Sequence, residues 1–256
     1  MPLAATISAA VAGLAWRAGT LTRSGALGAW VIGTLVLHGT GWSGGAVLAA
    51  FFISSNLVSR IGPRREVVEL DPKGERRDIW QVFANGSIAA AAALVGRAEP
   101  ELGLWLVTAS LAAAAADTWA TSLGTRSTVA PRLLGFGRSV PPGTNGGMTP
   151  LGSVAALAGA LMVAATGAAV AARPRLLPLG ILIGFIGMVV DSLLGATAQG
   201  RFRCPACQQS SERRVHRCGT ATIAAGGLRW LGNDLVNFLA TAVAAGAALA
   251  AWCWLD

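Results

Sequence analysis

The chain has 256 residues, of which 54% are hydrophobic and only 12% are charged. A soluble domain carries about 25% charged residues, so this composition excludes an ordinary soluble protein and indicates an all-α, polytopic transmembrane helix bundle. The net charge of +8 does not indicate nucleic-acid binding, because no aromatic–basic motif accompanies it and arginine in short loops is ordinary in membrane proteins.

Eight hydrophobic segments follow one another along the chain, at roughly residues 2–16, 25–41, 44–59, 80–96, 102–124, 148–172, 176–199 and 230–254. A membrane-spanning helix needs about 20 apolar residues, and the first three segments are shorter. One of them is a candidate for a re-entrant or strongly tilted helix, which makes seven spans the alternative count. The first segment lacks the basic region of a signal peptide, so we expect a short retained helix and a single integral membrane domain over residues 1–256.

Basic residues are distributed unevenly between the loops that join these segments. Loops one, three, five and seven, counted in chain order, hold every arginine and lysine except Arg97, Arg173 and Arg175. The positive-inside rule therefore places these four loops in the cytoplasm and both termini outside. We expect the inner or plasma membrane of the cell, with the polar chemistry facing the cytoplasm.

Three charged residues remain inside the segments: Asp117, Asp191 and Asp234. No lysine or arginine is expected deep enough to pair with them. A carboxylate in a helical bundle usually marks an ion, proton or substrate site, although one near a helix end can also be a protonated or hydrogen-bonded structural residue. Gly184 and Gly187 mark a face for close helix packing just before Asp191.

Amide side chains share the predicted depth of these carboxylates. Gln81 and Asn85 lie four residues apart near the start of the fourth segment, and Asn233 and Asn237 do so in the eighth, so each pair occupies one stripe of its helix. A longer stripe ends the seventh segment and contains Asp191, Gly195 and Gln199. Amides and carboxylates at one depth predict a hydrated polar cavity that opens to the cytoplasm.

A glycine-rich stretch, Pro142-Gly-Thr-Asn-Gly-Gly147, directly precedes the sixth segment. Glycine permits close approach of a ligand, and a helix start offers free N–H groups that suit phosphate, although a flexible turn is the simpler alternative. The stretch is not a Walker A loop, because no Lys-Ser or Lys-Thr follows the glycines. Arg138 and Arg77 are candidate phosphate ligands, although arginines at a membrane surface often only set topology, and Asp78 beside Arg77 is expected to belong to the same site.

Loop seven, over residues 200–229, contains Cys204, Cys207, His216 and Cys218. A Cys-x-x-Cys pair followed by histidine and cysteine is a candidate tetrahedral zinc site with three sulfur ligands and one nitrogen ligand. Disulfides are disfavoured in the cytoplasm, which leaves free thiols or a redox pair as the alternatives. Cys253 is expected to be a packed or lipid-facing thiol.

Five stretches contain most of these polar residues: Arg77-Asp-Ile-Trp-Gln-Val-Phe-Ala-Asn-Gly86, Ala116-Asp-Thr-Trp-Ala120, Pro142-Gly-Thr-Asn-Gly-Gly147, Asp191-Ser-Leu-Leu-Gly-Ala-Thr-Ala-Gln199 and Asn233-Asp-Leu-Val-Asn-Phe238. Together, in this order, they resemble the integral-membrane family that includes plastid phytyl-phosphate kinase and transmembrane protein 19. The resemblance implies phosphorylation of an isoprenyl monophosphate to the diphosphate. It also extends to the CTP-using polyprenol and phytol kinases, which implies CTP as the donor.

Phosphoryl transfer depends mainly on positioning and charge neutralisation, usually with Mg²⁺. Asp117 and Asp191 are the candidate Mg²⁺ ligands, because this cation prefers oxygen, and with Asn85 and Asn237 they form the candidate catalytic set. The candidate ligands of nucleotide and phosphate are Arg77, Arg138, Gly143, Thr144, Asn145, Gly146, Gly147, Gln81, Asn233 and Gln199. The expected partners are a prenyl-phosphate lipid, a nucleoside triphosphate and membrane lipids.

Two observations leave other functions open. The family usually carries an acidic residue shortly after Asp-Thr-Trp, where this chain has Ser122, so a catalytically impaired member is one alternative. The last motif also reads Asn233-Asp234 where many relatives read Asn-Asn. Membrane carboxylates equally suit a transporter or lipid translocator, although that class predicts midplane polar groups and inverted repeats, which the sequence does not suggest.

Overall fold

The computed structural model describes residues 1–61, 76–211 and 214–255. Arg64, Arg65, Lys73 and Arg213, which contribute to the predicted charge asymmetry, lie outside the described residues. The helices in these ranges are α1 (Pro2–Arg17), α2 (Arg23–Arg60), α3 (Ile79–Val95), α4 (Pro100–Gly124), α5 (Pro150–Val170), α6 (Leu176–Thr197) and α7 (Asn233–Leu255). Within the described ranges, α2, α4, α5, α6 and α7 are long and apolar enough to cross a membrane, and α3 is a shorter apolar helix. The predicted transmembrane helical architecture is confirmed.

The long element α2 consists of two helical arms that reverse direction at Gly41. This residue has φ 61° and ψ −152°, a combination that is open essentially to glycine alone. The two ends of α2 lie at the same short connection. The Arg60 guanidinium donates to the carbonyl oxygen of Ala18 at 3.3 Å, and α2 begins shortly after Ala18, with Thr22 as its N-cap. The predicted segments 25–41 and 44–59 are therefore the two arms, and all eight segments are helical.

The central helix of the bundle is α4, in which every residue from Gly103 to Ala116 is buried. Small side chains let its neighbours approach closely. A Cβ on Gly184 of α6 would lie 2.9 Å from the Cβ of Ala112, and one on Gly159 of α5 would lie 2.8 Å from the carbonyl oxygen of Ala115. Such contacts drive helix association in membranes, where apolar burial supplies little. The close-packing face predicted around Gly184 is confirmed.

The connections that carry most of the arginines meet at one end of the bundle. A backbone bridge joins Leu21 in loop one to Arg77 in loop three. The hydroxyls of Ser59 and Ser122 are 3.1 Å apart and join the end of α2 to the end of α4. Loop five packs against Ala196 in the last turn of α6, where loop seven begins. We call this end of the bundle the arginine-rich face.

Short strands organise the two longer loops at the arginine-rich face. In loop five, β1 (Arg132–Leu133) pairs antiparallel with β2 (Gly147–Met148). In loop seven, β3 (Arg201–Arg203) lies between β4 (Ser210–Ser211) and β5 (Ile223–Gly226), antiparallel to both. These two small sheets fix the loops over the ends of α4, α6 and α7.

Candidate functional site

The site begins at a point where three helices touch. A Cβ on Gly187 of α6 would clash with Ala113 of α4 and lie 3.5 Å from the carbonyl oxygen of Ala240 of α7. The next turn of each helix, about 5.4 Å nearer the arginine-rich face, carries a polar side chain. These side chains are Asp117 on α4, Asp191 on α6 and Asn237 on α7. The predicted convergence of these three residues at one depth therefore follows directly from the helix contacts.

Asn237 offers an oxygen atom in this cluster that the protein itself does not use. Its Oδ1 atom is buried and has no hydrogen-bond partner among the described residues. A buried amide oxygen without a partner costs free energy of about 1–3 kcal/mol. One turn further along α7, the Thr241 hydroxyl lies 3.4 Å from the carbonyl oxygen of Ala84, which brings α3 alongside. The orientation of Asn237 is therefore one that suits a ligand.

Arg77 interacts electrostatically with Asp117, so the prediction that no cation would pair with the membrane carboxylates is wrong for this residue. The Arg77 amide donates to the Thr20 carbonyl oxygen at 3.0 Å, and the Arg77 carbonyl accepts from the Thr22 amide at 3.0 Å. This pairing holds the backbone while the guanidinium lies 5.7 Å from the centre of the Phe51 ring. Burial lowers the pKa of Arg77 to about 10, against the opposing effect of the Asp117 carboxylate, so the side chain is cationic at neutral pH.

The first turn of α3 uses two of the predicted site residues to begin the helix. The Asp78 carboxylate accepts from the Gln81 amide at 3.0 Å, and the Gln81 side-chain oxygen accepts from the Asp78 amide at 3.1 Å. This capping box satisfies two N–H donors at the start of the helix, and it explains the positions of the Asp78 and Gln81 side chains without a bound ligand. Asn85 is half-buried, and its Nδ2 atom donates to the Gln81 carbonyl oxygen at 2.9 Å.

The glycine-rich loop packs directly onto the helix that carries Asp191. A Cβ on Gly146 would lie 2.5 Å from the Ser192 carbonyl oxygen and 2.5 Å from the Ala196 Cβ, one turn beyond Asp191. Gly146 also has φ 73°, which favours glycine. Residues 143–147 are half-buried, so the loop forms one side of the polar cluster.

The loop does not run straight into a helix start, contrary to the prediction. The last glycine, Gly147, begins strand β2, and α5 begins only at Pro150, which has no N–H group. The Thr149 side chain, only 4% exposed, accepts from the Gly152 amide at 3.0 Å and closes the first turn. Because the α5 terminus is capped, a phosphate at this loop would meet the backbone and side chains of residues 143–147 themselves.

Three of the predicted ligands are not part of this cluster, because each is either exposed at the surface or covered by the rest of the protein. Arg138 is exposed in the loop-five hairpin, where its carbonyl oxygen accepts from the Leu133 amide at 3.0 Å. Asn233 is exposed at the start of α7. Gln199 is only 3% exposed, and its backbone pairs with Leu228. The residues that come together are those on α4, α6 and α7, joined by Arg77 and the glycine-rich loop.

Comparison with known proteins identifies an integral membrane family. A family model described as integral membrane protein DUF92 matches residues 6–245. The chain belongs to this family. Protein PGR of Arabidopsis thaliana is 31% identical over an alignment that covers 92% of this chain and 90% of that protein. An uncharacterized membrane protein of Methanocaldococcus jannaschii is 30% identical over 69% of this chain and 74% of that protein. An uncharacterized membrane protein of Synechocystis is 28% identical over 85% of this chain and 79% of that protein. No solved structure matches the chain.

Within this DUF92 member, Ser122 occupies the position where the resemblance calls for an acidic residue. Its side chain is 9% exposed and bonded to Ser59, and its carbonyl oxygen accepts from the Arg126 guanidinium. Ser59 was not among the predicted residues, because a serine at the polar end of a helix carries no signal for a particular partner. The Ser55 hydroxyl, one turn before Ser59, is fully buried without a partner among the described residues.

A second polar feature of this family member lies at the opposite end of the bundle. A cavity of about 500 Å³ is lined by the Gly41 turn of α2, by Trp105 and Thr108 of α4, and by Arg173 before α6. Arg173 pairs with Glu101 and lies 5.6 Å from the centre of the Trp252 ring. Small residues of α5 complete the lining of the cavity. The α4 segment between this cavity and Asp117 is fully buried.

Proposed function

We propose that this protein is a membrane-embedded kinase that transfers a phosphoryl group from a nucleoside triphosphate, CTP by family resemblance, to a prenyl monophosphate. The observation that carries the proposal is the joint position of Arg77, Asp117 and Asp191 beside a glycine-rich loop. Phosphoryl transfer depends on positioning and charge stabilisation, which a cation, two metal-binding carboxylates and a backbone loop can supply. The family membership supports a membrane protein, and the chemistry is our inference.

Asp117 and Asp191 would hold Mg²⁺, with the unpartnered Oδ1 atom of Asn237 as a third oxygen ligand. The fit rests on the donor set, since these groups lie on adjacent turns of three touching helices and offer only oxygen atoms. When bound, the ion would neutralise charge on the transferring phosphates. Two carboxylates beside one arginine leave a net negative site, which favours a divalent cation.

Arg77 would bind and orient a phosphate group of the donor or of the acceptor. Its backbone is held at both the N–H and the carbonyl, and its guanidinium is cationic at neutral pH, so it provides a fixed positive charge. The loop of residues 143–147 would approach the phosphates from the α6 side. A phosphate oxygen of the acceptor would attack the terminal phosphorus of the donor, whose bond to the bridging oxygen breaks and releases the nucleoside diphosphate.

No strong general base is needed for this reaction, because the attacking oxygen of a prenyl monophosphate is already ionised. Ser122 in place of an acidic residue is therefore compatible with activity. Asn85 would orient phosphate oxygens, and the prenyl tail would lie between the helices among their alanine and glycine faces. We propose that the arginine-rich face lies in the cytoplasm, where nucleoside triphosphates are available.

The test is turnover by the purified full-length protein in detergent or nanodiscs. Prenyl monophosphates of several chain lengths are incubated with Mg²⁺ and CTP, ATP, GTP or UTP, and the diphosphate is detected by mass spectrometry. We expect Mg²⁺-dependent prenyl diphosphate with at least one nucleotide. Absence of product with every donor and acceptor, from protein whose fold is intact, would contradict the proposal.

A lipid translocator is the second candidate, and the cavity of about 500 Å³ at the opposite end favours it. A translocator needs access from both membrane faces, whereas a kinase needs access from one. Proteoliposomes with a fluorescent prenyl phosphate on one leaflet distinguish the two functions. Movement between leaflets without nucleotide would support the translocator, and product formation without such movement would support the kinase.

A further inference from the structure

Loop seven brings together four metal-binding side chains from two separate turns. The Sγ atoms of Cys204 and Cys218 are 3.6 Å apart, and the Nδ1 atom of His216 is 3.1 Å from the Sγ atom of Cys218. With Cys207 included, all four ligand atoms lie within 4.8 Å of one another. The two turns are separate in sequence, so the fold of the loop is what brings their ligands together.

The three-stranded sheet produces this convergence. Cys204 follows the end of β3. Its amide donates to the Gln209 carbonyl oxygen at 2.9 Å, and its carbonyl oxygen accepts from the Gln208 amide at 2.9 Å, which closes the first turn around Cys207. The second turn is closed by His216, whose amide donates to the Thr220 carbonyl oxygen at 2.9 Å. Antiparallel pairing of β3 with β5 then places the second turn against the first.

We propose that Cys204, Cys207, His216 and Cys218 bind one Zn²⁺ ion in a closed tetrahedral site. Zinc bonds of about 2.0–2.3 Å separate the ligand atoms of a tetrahedron by roughly 3.3–3.8 Å. The Cys204–Cys218 spacing of 3.6 Å falls in this range. Cys204 is fully buried and His216 is only 5% exposed in a loop that has almost no apolar core. Four protein ligands leave no open position, which makes the site structural rather than catalytic.

The ion would brace the ends of α6 and α7, the helices that carry Asp191 and Asn237. Next to the sheet, the Gly200 amide donates to the Leu231 carbonyl oxygen at 2.9 Å, and the Leu228 amide donates to the Ala198 carbonyl oxygen at 2.8 Å. These bonds connect the end of α6 to the start of α7. A zinc-bound loop seven would fix this connection as one rigid unit, and the metal site does not depend on the proposed kinase activity.

Metal content of the full-length protein tests the site, with Cys253→Ser as the matched control. Cys253 is the remaining cysteine and lies near the end of α7. Elemental analysis should give one zinc per chain in the wild type and in Cys253→Ser, and near zero in Cys204→Ser. His216→Cys, which preserves four ligands, should retain zinc. Zinc near zero in the wild type, or content unchanged in Cys204→Ser, would overturn the proposal.

Two further measurements separate zinc from the other states of these thiols. Exchange with Co²⁺ should produce the visible absorption of tetrahedral cobalt with thiolate ligands in the wild type and in His216→Cys. Removal of the metal by a chelator should expose loop seven to trypsin at its arginines, including Arg201, Arg214 and Arg229, and added zinc should restore protection. A Cys204–Cys218 disulfide in the protein as purified under reducing conditions would contradict a zinc site.

Discussion

Arg77, two residues before α3, lies close enough to Asp117 in α4 to interact with it electrostatically, and its guanidinium also lies over the Phe51 ring. This position puts a positive charge beside the carboxylate cluster at the arginine-rich face and offsets part of the negative charge of Asp117. Under the proposed function, the same guanidinium would contact an incoming phosphate.

Replacement of Arg77 should affect activity more than that of any other arginine at this face. Arg77→Ala should lower turnover by about 10²-fold or more, because a preorganised charge contact is worth roughly 3–4 kcal/mol in the transition state. The same substitution should lower the free energy of unfolding by less than the value of about 3–5 kcal/mol that is typical when one partner of a buried ion pair is removed, because Asp117 is only half-buried. The exposed Arg138→Ala variant is the control, and turnover and thermal unfolding in detergent are the measurements. A smaller activity loss for Arg77→Ala than for Arg138→Ala would contradict this role.

Asp117→Asn and Asp191→Asn should each reduce turnover by about 10²–10³, because each replaces an anionic Mg²⁺ ligand with a neutral one. The matched control is Glu101→Gln, which makes the same chemical change at the opposite end of α4. Initial rates over a range of Mg²⁺ concentrations provide the measurement. Full turnover with normal Mg²⁺ dependence in both aspartate variants would show that the site is elsewhere.

Gly146→Ala should separate the glycine-rich loop from α6. Gly137→Ala is its matched control, since Gly137 lies in the same loop region with φ 66° but has open space around its Cβ position. Both variants incur the left-handed penalty of roughly 1–2 kcal/mol, and only the Gly146 variant meets Ser192 and Ala196. We expect a raised KM for nucleotide or prenyl phosphate with Gly146→Ala alone. Equal KM values for the two variants would argue against a role of the loop contact in binding.

Ser122→Glu, which restores the acidic residue of the family pattern, should leave turnover unchanged or raise it. The variant should also unfold at a lower temperature, because it places a carboxylate at a buried position and breaks the Ser59–Ser122 hydrogen bond. Ser59→Ala reports the loss of that bond without the added charge. If the wild type turned over no prenyl phosphate and Ser122→Glu did, the protein would be an inactive relative.

The arginine-rich face should be cytoplasmic. Cysteines introduced one at a time at the exposed positions Ser139 in loop five and Ala98 in loop four report the two faces, by comparison with a Cys253→Ala parent that keeps the three loop-seven cysteines. A membrane-impermeant thiol reagent added to intact cells should add label at Ala98→Cys and none at Ser139→Cys. Label at Ser139→Cys from outside would reverse the orientation and separate the site from cytoplasmic nucleotide.

The amino-acid sequence alone determined the helical segments, the charge asymmetry between loops and the depth of Asp117, Asp191 and Asn237. Each of these follows from position along the chain, since the length of an apolar segment predicts a span and the position of a residue within the span gives its depth. The ligand types of Cys204, Cys207, His216 and Cys218 were equally readable, because metal ligation depends on residue chemistry and spacing. The helix reversal at Gly41 was also visible as two separate apolar segments.

The packing of helices and loops in three dimensions sets which of these groups lie near one another. Arg77 comes close enough to Asp117 to interact electrostatically because its backbone pairs with Thr20 and Thr22, a contact between distant parts of the chain that no local pattern encodes. The glycine-rich loop adjoins α6 rather than the start of α5, because Thr149 caps α5 and Gly146 allows contact with Ala196. Side-chain partners across helices depend on packing angles and close approach, which small residues permit but do not specify.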